Sequence, residues 1–115
     1  MWLPTMNLHD FRRQYQSKGL SRKDLHDNPF VQFEEWMCAI VELDTSDPTA
    51  MILATVDANQ PVQRIVLLKE VDEGGFVFFT NRLSAKGKQM AANNAVSLHF
   101  PWHFVNRQII VKGHV

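Results

Sequence analysis

The chain has 115 residues and a mass of 13.3 kDa, and its 45% hydrophobic and 21% charged residues are typical of a folded globular domain. This length allows one domain and excludes two well-packed ones. Twelve basic and twelve acidic residues cancel to a net charge of zero, which argues against nonspecific binding to a nucleic-acid backbone.

The N-terminal part of the sequence predicts two helices. Residues 7–18 carry Leu8, Phe11 and Tyr15 at helical spacing, which indicates a short amphipathic helix. The pair Asn28-Pro29 then predicts a capped helix with proline in its first turn, running to about residue 43. Its apolar face, expected to pack on a sheet, consists of Phe30, Phe33, Met37, Ile40 and Val41.

Strands dominate the rest of the chain. Residues 50–56 are a continuous apolar run, and residues 62–71 are rich in branched side chains, so both predict strands. Glycines at 74 and 75 predict a hairpin into residues 76–80, which would complete a three-stranded meander. Ser84 predicts the cap of a helix to about residue 92, and residues 95–100 and 107–115 supply two more strands. Such short connections favour an antiparallel sheet that curls into a barrel.

The sequence carries no sign of secretion or membrane insertion. No apolar run approaches the roughly 20 residues of a membrane span, and residues 1–10 lack the pattern of a signal peptide. The single cysteine, Cys38, cannot form an intrachain disulfide, and its apolar helical context favours a core position over a nucleophilic role. We therefore expect a soluble, cytoplasmic protein that binds no membrane.

The neutral total charge hides an uneven distribution. Residues 24–63 contain eight acidic residues and no lysine or arginine, whereas residues 74–115 contain five lysines and arginines and no acidic residue. This bias indicates a local anion site in the second half, with ordinary solvated surface charge as the alternative.

Residues 80–88 (TNRLSAKGK) are the best candidates for that anion site. A helix beginning at Ser84 would place Lys86 and Lys88 in its first turn, where positive charge opposes the helix dipole by about 0.3–1 kcal/mol. A bound phosphate would explain them, and a merely basic turn is the alternative. Arg64 lies in an otherwise apolar strand and should meet an anion or, alternatively, the carboxylate of a structural ion pair. Lys69, five residues further, should point to the opposite face of a regular strand.

Other kinds of site receive less support. His99 and His103 are four residues apart, but Pro101 prevents a helical pair and no carboxylate or cysteine is nearby, so we expect no metal site. The aromatic strands could stack bases in an oligonucleotide-binding barrel, although alternation assigns several of the rings to the core, so we expect no nucleic-acid partner. Ser84 has no neighbouring histidine and acid for a hydrolase triad.

Seven short motifs, in chain order, resemble the pyridoxamine 5'-phosphate oxidase family. They are residues 11–15 (FRRQY), 19–25 (GLSRKDL), 64–69 (RIVLLK), 79–81 (FTN), 84–86 (SAK), 100–103 (FPWH) and 107–108 (RQ). The resemblance implies a mainly β, antiparallel, FMN-binding split β-barrel that is incomplete at its C-terminus. It also implies a homodimer that holds FMN in clefts between the subunits.

The resemblance also implies roles for individual residues. Arg64 and Lys86 would bind the flavin phosphate, while the backbone of residues 65–68 would follow the isoalloxazine ring. Arg12 and Tyr15 would belong to a mobile N-terminal segment, residues 1–28, that closes over the substrate, and Lys69 would approach the same substrate. Residues 29–115 would form the truncated split-barrel domain. The implied cofactor-binding residues are Arg64, Ile65, Val66, Leu67, Leu68, Lys69, Phe79, Thr80, Ser84, Lys86 and Gln108.

The implied reaction oxidises pyridoxamine or pyridoxine 5'-phosphate to pyridoxal 5'-phosphate. A hydride would leave the carbon that bears the amine or alcohol, the flavin would be reduced, and oxygen would become hydrogen peroxide. The resemblance assigns no catalytic residue within these 115 positions.

Two departures from the family bear on this expectation. Ala85 stands where the family commonly has an arginine, which removes a bidentate phosphate contact that Lys88 would replace only in part. The family also continues through a further segment of comparable length that supplies substrate-phosphate residues and more flavin contacts. We therefore expect weak or absent turnover from this chain alone, and the alternative function is a non-catalytic FMN-binding or dimerisation module.

Overall fold

The described part of the chain forms mainly antiparallel β-structure with two α-helices, which is the predicted class. The computed structural model describes residues 5–10 and 19–115. In chain order the elements are α1 (Pro29–Glu42), β1 (Ala50–Asp57), β2 (Gln60–Leu67), β3 (Glu70–Asp72), β4 (Gly75–Val77), α2 (Ala85–Ala92), β5 (Ala95–Phe100) and β6 (Ile109–His114). Short 3-10 turns occupy Arg22–Asp24 and His103–Val105. Within the described ranges, neither helix is long and apolar enough to cross a membrane.

The strands form two sheets. The larger sheet has the order β2-β1-β5-β6, and β3 and β4 form a separate two-stranded ribbon. Leu53 of β1 lies opposite Arg64 of β2 and Leu98 of β5, so these three residues share one face of the larger sheet. We call this core-facing side the inner face and the opposite side the outer face. No pairing among the described strands closes the larger sheet into a continuous barrel.

The strand predicted over residues 62–71 is interrupted, and the predicted three-stranded meander is wrong. The Leu68 amide donates to the Thr49 carbonyl at 2.9 Å, and the Lys69 amide donates to the Val77 carbonyl at 2.8 Å. The chain thus leaves β1 and takes β4 as its new partner. The sequence shows no break here because the change of partner needs neither glycine nor proline. The predicted strand over residues 76–80 is likewise shortened, since β4 ends at residue 77.

Aromatic side chains join α1 to the sheets. The Phe33 ring lies 5.1 Å from that of Phe76, 5.0 Å from that of Phe100 and 5.8 Å from that of Trp102, measured between centroids. These contacts confirm that α1 packs on β-structure. The buried apolar core as a whole consists of Phe33, Ile40, Met51, Leu53, Val66, Leu68, Met90, Leu98, Phe100 and Trp102.

Helix α1 begins where the sequence predicts, but its buried face is narrower. The Asn28 side chain accepts a hydrogen bond from the Phe30 amide at 2.9 Å, which confirms the cap. Cys38 is exposed, so the expected core position is wrong, and Val41 is also exposed. Cys38 lies five residues after Phe33, a rotation of about 140° around the helix, which carries it away from the packed face. The helix predicted over residues 7–18 lies mostly outside the described residues, and residues 7–10 are not helical.

A two-residue turn connects β1 and β2. Asp57 pairs with Gln60, and the two central residues, Ala58 and Asn59, have positive φ values of 47° and 69°. This is the backbone of a type I′ turn, in which the left-handed conformation is unfavourable for alanine. The turn therefore holds a small, local strain.

Replacing that alanine should stabilise the fold. We expect Ala58→Gly to raise the free energy of unfolding by about 0.5–1 kcal/mol, because glycine adopts positive φ without a steric cost. As a control, Ala39→Gly at an exposed position of α1 should lower it by about the same amount. Urea denaturation followed by circular dichroism measures both, and a loss of stability in both variants would contradict the turn geometry.

Candidate functional site

The start of α2 is a compact, capped turn. The Ser84 hydroxyl accepts a hydrogen bond from the Gly87 amide at 3.1 Å and donates one to the Asn81 carbonyl at 2.6 Å. The Thr80 hydroxyl lies 3.5 Å from that of Ser84. These contacts confirm the predicted cap. The first turn contains no acidic residue and carries the half-buried Lys86.

Arg64 extends from the inner face of β2 to α2. Its Nη1 donates to Thr55 Oγ1 at 2.6 Å and weakly to the Leu53 carbonyl at 3.5 Å, and its Nη2 donates to Gln89 Oε1 at 2.7 Å. All three acceptors are uncharged oxygens. The ion pair with an acidic residue, which the sequence left as an alternative, is therefore wrong. The guanidinium is half-buried and keeps its positive charge without a carboxylate partner among the described residues.

Helix α2 brings the predicted phosphate-binding residues to one region. Gln89, which holds the Arg64 guanidinium, lies three residues after Lys86, and residues at this spacing share a helix face. Ser84, two residues before Lys86 and five before Gln89, caps the N-terminus of the same helix. Helix α2 thus carries Lys86 and a hydroxyl-capped N-terminus and holds Arg64 through Gln89, and donors of these kinds bind phosphate dianions.

Other predicted residues lie elsewhere in the fold. Gln108 precedes β6, three strand spacings or about 14 Å across the sheet from β2. Its Oε1 lies 2.8 Å from Nε2 of His99, and it lines a mostly apolar cavity of about 720 Å³ between residues 20–27, α1 and β6. Phe79 follows β4 and is 71% exposed. Within a single chain, the structure thus does not place Gln108 beside Arg64.

Burial alternates along the segment predicted to follow the flavin ring. Val66 and Leu68 are buried, whereas Ile65 and Leu67 are exposed on the outer face. Lys69 is exposed and lies in the break between β2 and β3, so it is not part of the regular strand that the predicted opposite placement from Arg64 assumed. Arg12 and Tyr15 lie outside the described residues, so their predicted roles stay predictions.

Lys88 belongs to the first turn of α2, where its amide donates to the Ser84 carbonyl at 3.0 Å, whereas His99 and His103 make their contacts elsewhere. Lys88 lines a cavity of about 340 Å³ beside Asp57 and Asn59 at the β1–β2 turn. His103 Nδ1 lies 3.1 Å from the Pro101 carbonyl oxygen. Across residues 5–10 and 19–115, no three His, Cys, Asp or Glu side chains are grouped so that they could hold a metal ion.

Comparison with known proteins shows to which family the chain belongs. A family model described as pyridoxamine 5'-phosphate oxidase matches residues 39–115. The chain belongs to the pyridoxamine 5'-phosphate oxidase family. A curated pyridoxine/pyridoxamine 5'-phosphate oxidase of Shewanella denitrificans is 58% identical over 93% of this chain and 51% of its own length. One of Vibrio cholerae is 54% identical over 94% of this chain and 52% of its own length. The chain thus spans about half the length of these relatives.

A solved structure supports the fold of this oxidase-family chain. The crystal structure of PhzG from Burkholderia lata 383, in complex with tetrahydrophenazine-1-carboxylic acid, aligns with a TM-score of 0.73 at 22% sequence identity. The alignment covers 80% of this chain and 46% of the PhzG chain. At this identity the likeness concerns the fold alone, and it confirms the predicted split β-barrel class.

Thr55 and Gln89 are site residues that the sequence did not reveal. Both hold the Arg64 guanidinium, yet neither lies in one of the motifs that carry the family resemblance. One signal was available, because Thr55 is the only polar residue in the apolar run of β1 and is separated from Leu53 by one residue. Even spacing places it on the inner face, near Arg64 once the register is known.

Removing the cap of α2 should destabilise this oxidase-family domain. We expect Ser84→Ala to lower the free energy of unfolding by about 0.5–2 kcal/mol, because the Gly87 amide loses its acceptor. The matched control is Ser46→Ala in the exposed loop before β1, with an expected change within about 0.5 kcal/mol. Chemical denaturation measures both variants, and equal losses would show that the cap contributes no special stability.

Proposed function

We propose that this chain binds FMN and takes part in the oxidation of pyridoxamine or pyridoxine 5'-phosphate to pyridoxal 5'-phosphate. The observation that carries the proposal is the Arg64 guanidinium, which uncharged oxygens hold against α2, the helix that carries Lys86. A positive charge held in this way, without an acidic partner among the described residues, is available to an anion. In the proposal that anion is the phosphate of FMN, and membership of the oxidase family supports this choice.

The residues present fit a flavin phosphate. Arg64 offers a planar fork of N–H donors, and Lys86 offers an ammonium group. Ser84 and Thr80 place hydroxyl groups at the same turn, 3.5 Å apart. No acidic residue follows position 73 in the sequence, so residues 80–88 contribute no carboxylate that would repel the phosphate.

The protein's contribution to the reaction is binding and orientation. When bound, FMN supplies the redox chemistry, in which a hydride leaves the substrate carbon that bears the amine or alcohol and oxygen is finally reduced to hydrogen peroxide. In the proposal, Arg64 and Lys86 hold the phosphate end, and the backbone of residues 65–68 follows the ring. The exposed ammonium of Lys69 approaches the substrate, and Phe79 lines the cofactor cleft.

The proposed active form is a homodimer. Gln108 lies about 14 Å across the sheet from β2, so a flavin contact from Gln108 is more easily supplied by the second subunit. The outer face offers a surface for this subunit: Ile65, Ile52, His99 and Ile110 form one row across the four strands. Ile65 is 72% exposed and Ile110 is 57% exposed in the single chain. Such an apolar row favours association with a second copy.

A second candidate function is a non-catalytic FMN-binding or dimerisation module. The observation that favours it is length, because the chain spans about half of the curated oxidases that it matches. The phosphate-binding region around α2 is common to both candidate functions.

One experiment separates the two functions. The purified chain is incubated with FMN, desalted, and given pyridoxamine 5'-phosphate and oxygen, and sedimentation equilibrium gives its mass. We expect a dimer of the 13.3 kDa chain that retains FMN and forms pyridoxal 5'-phosphate slowly. Retained FMN without any product supports the non-catalytic module instead. Loss of FMN on desalting would contradict both.

Restoring an arginine at position 85 should strengthen FMN binding. We expect Ala85→Arg to lower the dissociation constant of FMN about tenfold, because a guanidinium at the first position of α2 can donate two hydrogen bonds to phosphate. Riboflavin, which lacks the phosphate, should bind unchanged. Ala91→Arg, at an exposed position near the other end of α2, is the matched control. Fluorescence titration measures both ligands with the parent chain and with each variant, and equal gains for FMN and riboflavin would rule out a phosphate contact.

A further inference from the structure

Arg64, Thr55 and Gln89 form a closed triangle of hydrogen bonds. Arg64 Nη1 donates to Thr55 Oγ1 at 2.6 Å, and Arg64 Nη2 donates to Gln89 Oε1 at 2.7 Å. The third side is the bond from Thr55 Oγ1 to Gln89 Oε1, at 2.6 Å. Each side chain is thus held by the other two, and the guanidinium has one preferred orientation.

Burial makes the triangle rigid. Thr55 is 1% exposed, and among the described residues it is the one polar side chain that is fully buried. Its hydroxyl accepts from Arg64 and donates to Gln89, so the hydroxyl proton has a fixed direction. A buried hydroxyl that lost these partners would carry a desolvation cost, which opposes rearrangement of the triangle.

The triangle orients Arg64 without neutralising it. The Gln89 amide oxygen and the Thr55 hydroxyl accept hydrogen bonds from some of the guanidinium N–H groups. A carboxylate at the same position would also cancel the positive charge. Of its five N–H groups, two on Nη1 and one on Nη2 have acceptors within the described residues. One N–H on Nε and one on Nη2 have no acceptor within residues 5–10 and 19–115 and can serve an external one.

We propose that Gln89 and Thr55 are positioning residues that hold Arg64 in place for the phosphate of FMN. The inference rests on the proposed function and adds two residues to it. Gln89 stands three residues after Lys86 on α2, so its amide also fixes the spacing between the two positive charges. Neither residue touches the phosphate itself, and both act through Arg64.

Two substitutions at position 89 separate positioning from stability. Gln89→Met removes the acceptor at similar size, and we expect it to weaken FMN binding about five- to tenfold. Gln89→Glu keeps both hydrogen bonds but pairs the guanidinium with a carboxylate, so it should preserve the stability of the fold and still weaken FMN binding about tenfold or more. A purely structural role predicts that Gln89→Glu binds FMN as well as the parent chain does.

Riboflavin and a double variant complete the test. Both substitutions should leave riboflavin affinity within about twofold, because a positioning residue for the phosphate acts on the phosphate alone. In an Arg64→Met background, Gln89→Met should cause no further loss of FMN affinity. Thr55→Val, like Gln89→Met, should lower the affinity for FMN. Gln60→Met, at the exposed β1–β2 turn, is the control that should change neither affinity.

The outcomes distinguish failure of the proposed function from failure of the positioning role. A parent chain that binds no FMN overturns the proposed function, and this inference with it. If the parent binds FMN and the Gln89 variants bind it equally well, the positioning role alone is overturned. Equal losses for FMN and riboflavin assign the triangle to folding and also overturn the positioning role.

Discussion

The site depends on a positive charge that is fixed in place without being neutralised. Arg64 reaches from β2 to α2 and is held there by the hydroxyl of Thr55 and the amide of Gln89. Uncharged acceptors stabilise the guanidinium modestly, and they leave its electrostatic attraction for an anion intact. The same contacts connect the edge strand of the sheet to the helix whose N-terminus Ser84 caps. Fold and site therefore share one set of hydrogen bonds.

Features governed by local chemistry could be predicted from the sequence. The Asn28 cap, the Ser84 cap and β1 lie where the sequence placed them, because side-chain capping and apolar runs depend on neighbouring residues alone. Features governed by distant contacts could not be predicted. The change of strand partner at Leu68 has no local signal, and the exposure of Cys38 depends on which side of α1 meets the sheet.

Arg64 shows which features of the site could be predicted from the sequence and which could not. An arginine in an apolar strand predicted that the guanidinium meets an anion or a carboxylate. Among the described residues it meets uncharged oxygens instead, so the carboxylate was wrong and the anion stays a prediction. The sequence could not say which partners, because Thr55 and Gln89 lie nine residues before and 25 residues after Arg64 and meet it only through the β1–β2 pairing and the packing of α2. The family resemblance identified the motif residues but not the residues that support them.

Side chains alternate between the inner and outer faces along β2, so the two faces have different roles. Arg64 and Val66 face inward, toward α2 and the core, whereas Ile65 and Leu67 face outward. A substitution of Arg64 or Val66 therefore alters anion recognition or packing, and one of Ile65 or Leu67 alters the surface shown to other molecules. Substitutions in one short segment can thus change anion recognition and the outer surface separately, because adjacent side chains on a strand point to opposite faces.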